Sequence, residues 1–313
     1  MVKNAIEIKN LSKIYDGNVK ALDKINLNIP TGSFFGLLGP NGAGKTTTIG
    51  SFTGLVNLTS GSAKIMGKDS VKDYRNTRPL VGLSPQELNF DVFFTIREIL
   101  ILQAGYYGLP KAMCIERADL MIEHFGLIDK SNSKARELSG GMKRRVQIAK
   151  SLVHDPPILI LDEPTAGVDI ELRHMLWSYL KELNKKGKTI LLTTHYIEEA
   201  ESLCDDIAII DTGKIITKGS PKELINEIGL SMVEFVLDKK YNTIDLVGWE
   251  YKLIDNILTV NAKDPESEIA KIISELNKIK IGIIGVKILN NSLEDVFIEL
   301  TGHGINEGES IDK

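Results

Sequence analysis

Gly39-Pro40-Asn41-Gly42-Ala43-Gly44-Lys45-Thr46, continued by Thr47, decides how the rest of this chain is read. Every fixed position of the phosphate-loop pattern G-x-x-x-x-G-K-[ST] is filled. The apolar run Phe34 to Leu38 leads into it and a helical stretch follows, which is the setting the pattern requires. Glycines let backbone N–H groups converge on phosphate oxygens without Cβ clashes. The helix start beyond them adds the positive end of its dipole. In such a loop Lys45 places a charge on the β- and γ-phosphates, and Thr46 offers a hydroxyl to magnesium. ATP with Mg2+ is therefore the expected ligand. A glycine-rich turn that binds nothing is the alternative, and complete occupancy of the pattern in the right context argues against it.

Downstream, Ile158-Leu159-Ile160-Leu161-Asp162-Glu163 reads as a buried strand ending in two carboxylates. Asp162 sits where a Walker B aspartate would hold magnesium, and Glu163 would lie beside the γ-phosphate and polarise the attacking water. By itself such a run is equally well a solvated strand end; behind a complete phosphate loop it gains weight. Between the two lies Leu138-Ser139-Gly140-Gly141-Met142, which opens a helical pattern. Ser139 is placed as an N-cap, and the two glycines expose backbone N–H groups at a helix start. Such a start is either an anion site or an ordinary capped helix.

Further short apolar runs, Leu80 to Leu83, Ile190 to Thr193 and Ile207 to Ile210, have the look of buried parallel strands. Helical patterns separate several of them. Met142, Val146, Ala149 and Val153 share one face, and Leu172, Met175, Tyr179 and Leu183 share another. The alternation implies an α/β domain with a largely parallel sheet. Near the N-terminus, Ile6 and Ile8, then Ile25, Leu27 and Ile29, suggest an antiparallel sheet beside it. After about residue 221 the pattern changes. SMVEFVLD, ILTVNA and IGIIGVKIL read as strands, and PESEIAKIISELNK as a helix with Ile269, Ile272, Ile273 and Leu276 on its apolar face. The expected domains are 1–221, a small α+β domain at 222–301, and a polar, disordered tail at 302–313.

With these motifs in this order, the chain resembles the ATP-binding-cassette (ABC) ATPases over about residues 4–221. The resemblance implies a P-loop ABC ATPase domain of α/β class, with an antiparallel β subdomain and a helical subdomain at about 87–152. It also implies that Leu138 to Met142 is the signature motif, with Ser139, Gly140 and Gly141 contacting the γ-phosphate of ATP held by a second ATPase subunit. Gln86, in Ser84-Pro85-Gln86, matches the Q-loop glutamine that senses magnesium and the γ-phosphate. His195, in Thr193-Thr194-His195, matches the switch histidine, Asp169 the D-loop aspartate, and Tyr15 the aromatic that stacks on adenine. The implied catalytic set is Glu163, His195, Gln86 and Lys45; the implied magnesium set is Thr46, Gln86 and Asp162. Met142 departs from the commoner glutamine. The strings Leu-Ser-Gly-Gly-Met-Lys-Arg-Arg, Thr165-Ala-Gly-Val-Asp169 and Ser292-Leu-Glu-Asp-Val-Phe297 are similar to the ATPases of type-2 ABC exporters. A homodimer that drives separate membrane-spanning permease subunits is what this similarity implies. Phe90, Phe93 and Phe94, after the Q-loop, either line the groove that receives the permease or pack into the local core. Lys143, Arg144 and Arg145 are expected on a solvated helix face.

The 313 residues are 42% hydrophobic and 26% charged, ordinary for a globular protein with a sizeable core. A net charge of −4 offers no general argument for nucleic-acid binding. No stretch approaches the ~18 uncharged apolar residues of a spanning helix, and the first residues lack a signal-peptide core. The expected location is the cytoplasmic face of the cell membrane, reached through the permease. Cys114 and Cys204 are isolated, which argues against zinc or a redox dithiol. The rival function, a soluble ABC-type ATPase in translation or DNA repair, would bring a second cassette, a long coiled coil or zinc-binding cysteines.

Overall fold

The structure, a computed structural model, describes residues 3–91, 93–228, 231–262, 265–289 and 292–305. Two compact units divide it, one within residues 1–220 together with Ile305 and one within 221–304.

The first unit opens on a long antiparallel pair, β1 (Asn4–Tyr15) and β2 (Val19–Pro30), followed by β3 (Phe34–Leu38) and α1 (Lys45–Thr53). Next come β4 (Ser60–Ile65), β5 (Lys68–Asp69), α2 (Tyr74–Thr77) and β6 (Val81–Ser84). Three helices then form the helical lobe: α3 (Ile96–Tyr106), α4 (Lys111–His124) and α5 (Gly140–Leu152). The chain returns through β7 (Ile158–Asp162), α6 (Ile170–Lys185), β8 (Thr189–Thr194), α7 (Ile197–Leu203), β9 (Asp206–Asp211) and β10 (Lys214–Gly219).

The main sheet has the order β10-β9-β3-β8-β7-β6 and is parallel except for β10 at its edge. Every residue of β3, β7 and β8 is buried, which is why the middles of these strands read as apolar runs. The second sheet, β2-β1-β4-β5, is antiparallel. Its Ile6, Ile8, Ile25 and Leu27 share one core with Phe35, Ile160 and Leu191 of the main sheet and Phe52 of α1. Because the strands run parallel, the residues that follow β3, β6, β7 and β8 all emerge at one edge of the sheet. Open α/β sheets hold their ligands at that edge. Helix α5 lies directly against β6: a Cβ on Gly82 would stand 2.1 Å from the Ser151 carbonyl, so only glycine admits this approach.

Two helix faces differ from the sequence expectation. On α6 the buried side chains are Leu176, Trp177, Leu180 and Leu183, while Met175 is 42% exposed. The helix is turned because the Trp177 indole N–H reaches inward to donate to the Glu199 carboxylate at 3.0 Å. On α5, Val146, Ala149 and Val153 are buried as expected, but Arg144 is buried as well, at 5% exposure. Three consecutive helical residues cannot share a face, so the basic run is not one solvated stripe.

The second unit contains α8 (Pro221–Ile228), β11 (Ser231–Leu237), β12 (Tyr251–Ile254), β13 (Ile257–Ala262), α9 (Pro265–Lys278), β14 (Ile283–Leu289) and α10 (Leu293–Thr301). Its sheet, β12-β13-β11-β14, is antiparallel throughout. Ile272 and Leu276 of α9 are buried against Val233, Phe235 and Val260, with Ile269 and Ile273 partly covered. Strand β12 has no counterpart in the sequence reading, because it is a short edge whose residues are mostly exposed. The segment Ser292 to Phe297 is a capped helix start: the Ser292 hydroxyl accepts from Asp295 N, and the Asp295 carboxylate accepts from Ser292 N. Of the tail, residues 306–313 lie outside the described residues.

Candidate functional site

The loop after β3 turns back on itself so that α1 begins at Lys45. Gly44 makes the turn at φ +106°, a left-handed conformation that a side chain disfavours. Lys45 is 5% exposed. Its Nζ donates to the carbonyls of Gly39 at 2.8 Å and Pro40 at 3.0 Å, and meets Glu163 Oε1 at 3.0 Å. Thr46 Oγ1 donates to Asp162 Oδ2 at 2.8 Å, and Thr193 Oγ1 donates to Asp162 Oδ1 at 2.5 Å. Asp162 is thus fixed at the end of β7 by the loop on one side and β8 on the other.

Glu163 is the meeting point of the site. Gln86 Nε2 donates to its Oε2 at 3.0 Å, and His195 Nδ1 stands 3.4 Å from the same oxygen. Burial alone would raise this carboxyl, but His195 and Lys45 overcome it and hold the pKa at about 2. Its backbone is left-handed at φ +48°, an unusual conformation for a residue with a side chain. An open cleft of about 340 Å³ exposes this cluster, lined by Asn41, Gly42, Lys45, Thr46, Gln86 and Glu163 among others. Four separate stretches, those after β3, β6, β7 and β8, therefore bring one ammonium, one amide, one imidazole and two carboxylates together at the sheet edge.

A family profile described as ABC transporter matches residues 22–166, the stretch that carries the phosphate loop, Gln86, the signature and Glu163. The "Nod factor export ATP-binding protein I" of Cupriavidus metallidurans is 38% identical over 308 residues, covering 96% of this chain and 99% of the relative. The chain belongs to the ABC transporter family. It is the nucleotide-binding, ATP-hydrolysing subunit type of that family. Among solved structures, cbiO1 from Clostridium perfringens, part of the ABC transporter complex cbiONQ, is 31% identical with a TM-score of 0.64, covering 72% of this chain and 92% of its own. A dimeric cassette in a post-hydrolysis state bound to ADP and Pi is 28% identical with a TM-score of 0.64, covering 69% of this chain and 98% of its own.

The remaining ABC motif residues lie outside the lining of this cleft. Ser139 is exposed and caps α5, its hydroxyl accepting from Met142 N at 3.3 Å. Gly140 is exposed, Gly141 and Met142 half-buried, and Leu138 buried. Asp169 caps α6 by accepting from Leu172 N at 2.9 Å. Tyr15, at the end of β1, is 41% exposed, with Lys13 Nζ 4.6 Å above its ring. Phe93 is 77% and Phe94 39% exposed, Phe90 is half-buried, and Val92 lies outside the described residues.

Sequence reasoning missed the buried polar frame behind the site. Arg144 and Gln147 of α5 donate to backbone carbonyls around Gln86, and Gln147 Nε2 reaches Pro85 O and Glu87 O at 2.7 Å each. Glu199 of α7, 1% exposed, accepts from Thr165 Oγ1 and Trp177 Nε1 at 3.0 Å each. Burial raises its pKa against those hydrogen bonds. The available signal was the spacing of Arg144 and Gln147, one turn apart on the flank of an apolar face.

Proposed function

We propose that ATP hydrolysis by this chain drives export through membrane-spanning subunits carried on a separate chain. Lys45, Gln86 and His195 converge on one anionic group, Glu163. Donors gathered at one point are what the γ-phosphate of ATP needs as charge shifts during transfer. Glu163 then orients and polarises the attacking water, while Lys45 and His195 steady the phosphoryl oxygens. Gly39 to Thr47 cradle the phosphates and Tyr15 stacks on adenine. Thr46 Oγ1 and Asp162 Oδ2, already paired, form an oxygen-only donor set that suits Mg2+, with Gln86 beside them. Bound there, Mg2+ would neutralise phosphate charge.

The composite site is completed by a second copy of the chain, whose Leu138 to Met142 and Asp169 face the nucleotide. That reading is supported by the exposure of Ser139 and by the dimeric cassette among the similar structures. Export and a permease partner are supported by the relative of nearly full coverage, an export ATP-binding protein, and by the neighbour that is part of a transporter complex. Among the described residues, no helix is long and apolar enough to cross a membrane. In this reading the chain works at the cytoplasmic face, reached through that partner. The expected result is co-purification of this chain from detergent-solubilised membranes with a protein carrying several apolar spans, and ATPase activity that changes with that partner. Recovery of the chain only with ribosomes or DNA would replace this reading with a role in translation or repair.

A further inference from the structure

Arg144 has no part in the phosphate chemistry described above, yet its guanidinium reaches the carbonyls of two separate segments. Nε donates to Pro164 O at 2.7 Å, and Nη2 donates to Asp162 O at 3.0 Å and to Glu163 O. Nη1 donates to Pro85 O at 3.0 Å and Gln86 O at 3.1 Å. The planar fork of arginine can serve this many acceptors; the ammonium of lysine cannot do so at once.

The carbonyls of Asp162 and Glu163 belong to the peptide planes before and after the Glu163 Cα. Pinning both planes fixes φ and ψ of Glu163, the residue whose backbone sits at φ +48°. On the other side, Glu163 N donates to Thr193 O at 3.1 Å. A side-chain-bearing residue rests in this region only when its surroundings over-determine it. The same guanidinium holds the backbone of Pro85 and of Gln86, whose side-chain amide bonds the Glu163 carboxylate. Burial lowers the Arg144 pKa, and the charges of Asp162, Glu199 and Glu163 oppose that shift.

We propose that Arg144 is a positioning residue for hydrolysis: it holds Glu163 in its left-handed backbone conformation and locks it to the Gln86 loop, so that the two reach the γ-phosphate as a unit. The proposal rests on the reading of Glu163 as the group that polarises water. Helix α5 opens on Ser139, so the element that faces a partner's nucleotide also carries the arginine that holds the chain's own carboxylate.

The test is single-turnover ATP hydrolysis by four proteins: the parent, Arg144→Ala, Glu163→Gln and the double variant. Arg144→Ala should lower the rate at saturating ATP by about tenfold or more while changing ATP affinity by less than about threefold. Added to Glu163→Gln, it should change the residual rate by less than about twofold, because the group it positions is already gone. Arg144→Lys should fall between parent and alanine. An equal loss in both backgrounds, or a parental rate for Arg144→Ala, overturns the proposal. If a thermal melt shows that Arg144→Ala does not fold, Arg144→Lys and Arg144→Gln, each alone and with Glu163→Gln, carry the same comparison. A parental rate for Arg144→Gln then overturns it. Failure of the underlying reading shows separately, as a Glu163→Gln protein that hydrolyses ATP at the parental rate.

Discussion

The Glu163 carboxylate is held by Lys45, Gln86 and His195; burial would raise its pKa, but His195 and Lys45 keep it low. An amide at this position keeps the shape but cannot polarise water as a carboxylate does. Glu163→Gln should therefore lose turnover by about two orders of magnitude or more while still binding ATP. Single-turnover hydrolysis beside an equilibrium titration with a fluorescent ATP analogue checks this. The depressed pKa also sets a pH dependence of stability. A carboxyl whose folded pKa lies below its ordinary value of 4.5 contributes stability that is complete above 4.5 and is lost as pH falls toward about 2. The stability advantage of the parent over Glu163→Gln in urea unfolding should accordingly be flat from pH 8 to about 5 and shrink below that. An advantage that instead declines between pH 6 and 8 would refute the Glu163 carboxyl as its source.

Among the elements, α5 and α6 show how buried polar anchors choose a helix face. Apolar spacing on α6 allowed more than one orientation, and the Trp177 bond to Glu199 selects the one observed. On α5, Gly82 lets the helix approach β6 closely enough for Arg144 and Gln147 to reach carbonyls of the Gln86 segment. The short stretch between β6 and α3 is the contrasting case. There Phe93 is 77% and Leu88 43% exposed, although both are large and apolar. Exposed apolar side chains in the stretch that follows Gln86 fit a surface that another protein covers. Phe93→Glu should leave the melting temperature within a degree or two of the parent, since an exposed site contributes little to stability. It should also sharply reduce co-purification with the membrane partner. Undiminished recovery of the partner, with export unchanged, would remove Phe93 from the docking surface.

For the whole molecule, the central expectation is that each site needs two chains. Lys45 lies in a cleft whose lining does not include Ser139, as the proposed composite site requires. Cys114 and Cys204 are both buried, and burial pushes the Cys204 thiol up, so background reaction should be small even before they are replaced. With both replaced, and with Asn41→Cys and Ser139→Cys added in a Glu163→Gln background, a short bifunctional thiol reagent should join two chains, most strongly with ATP. A denaturing gel reads the result as a species of dimer size. A linker is the fair probe, because a disulfide needs Cα atoms within about 7 Å. An internally cross-linked monomer as the sole product would refute the composite site.

The phosphate loop, the Walker B run and the parallel α/β class were legible in the sequence because each depends on local chemistry. Glycine is favoured where φ is positive, Lys45 and Thr46 occupy fixed places in one turn, and a strand buried on both faces is apolar along most of its length. The small second unit was legible in its helix face and in three of its strands, but not in the exposed edge strand β12, which carries no apolar signal. Gln86, His195 and Asp169 were recognisable only through their order along the chain, since a lone glutamine or histidine marks nothing by itself. Only the tertiary structure decided that Glu163 gathers Lys45, Gln86 and His195, that α6 turns Trp177 inward, and that Arg144 is a buried strut rather than a solvated charge. The physical reason is the same in each case. Local patterns record which residues prefer to leave water, whereas a buried charge is tolerated only where distant backbone carbonyls and carboxylates converge on it, and that convergence exists only once the sheet has brought its strand ends together.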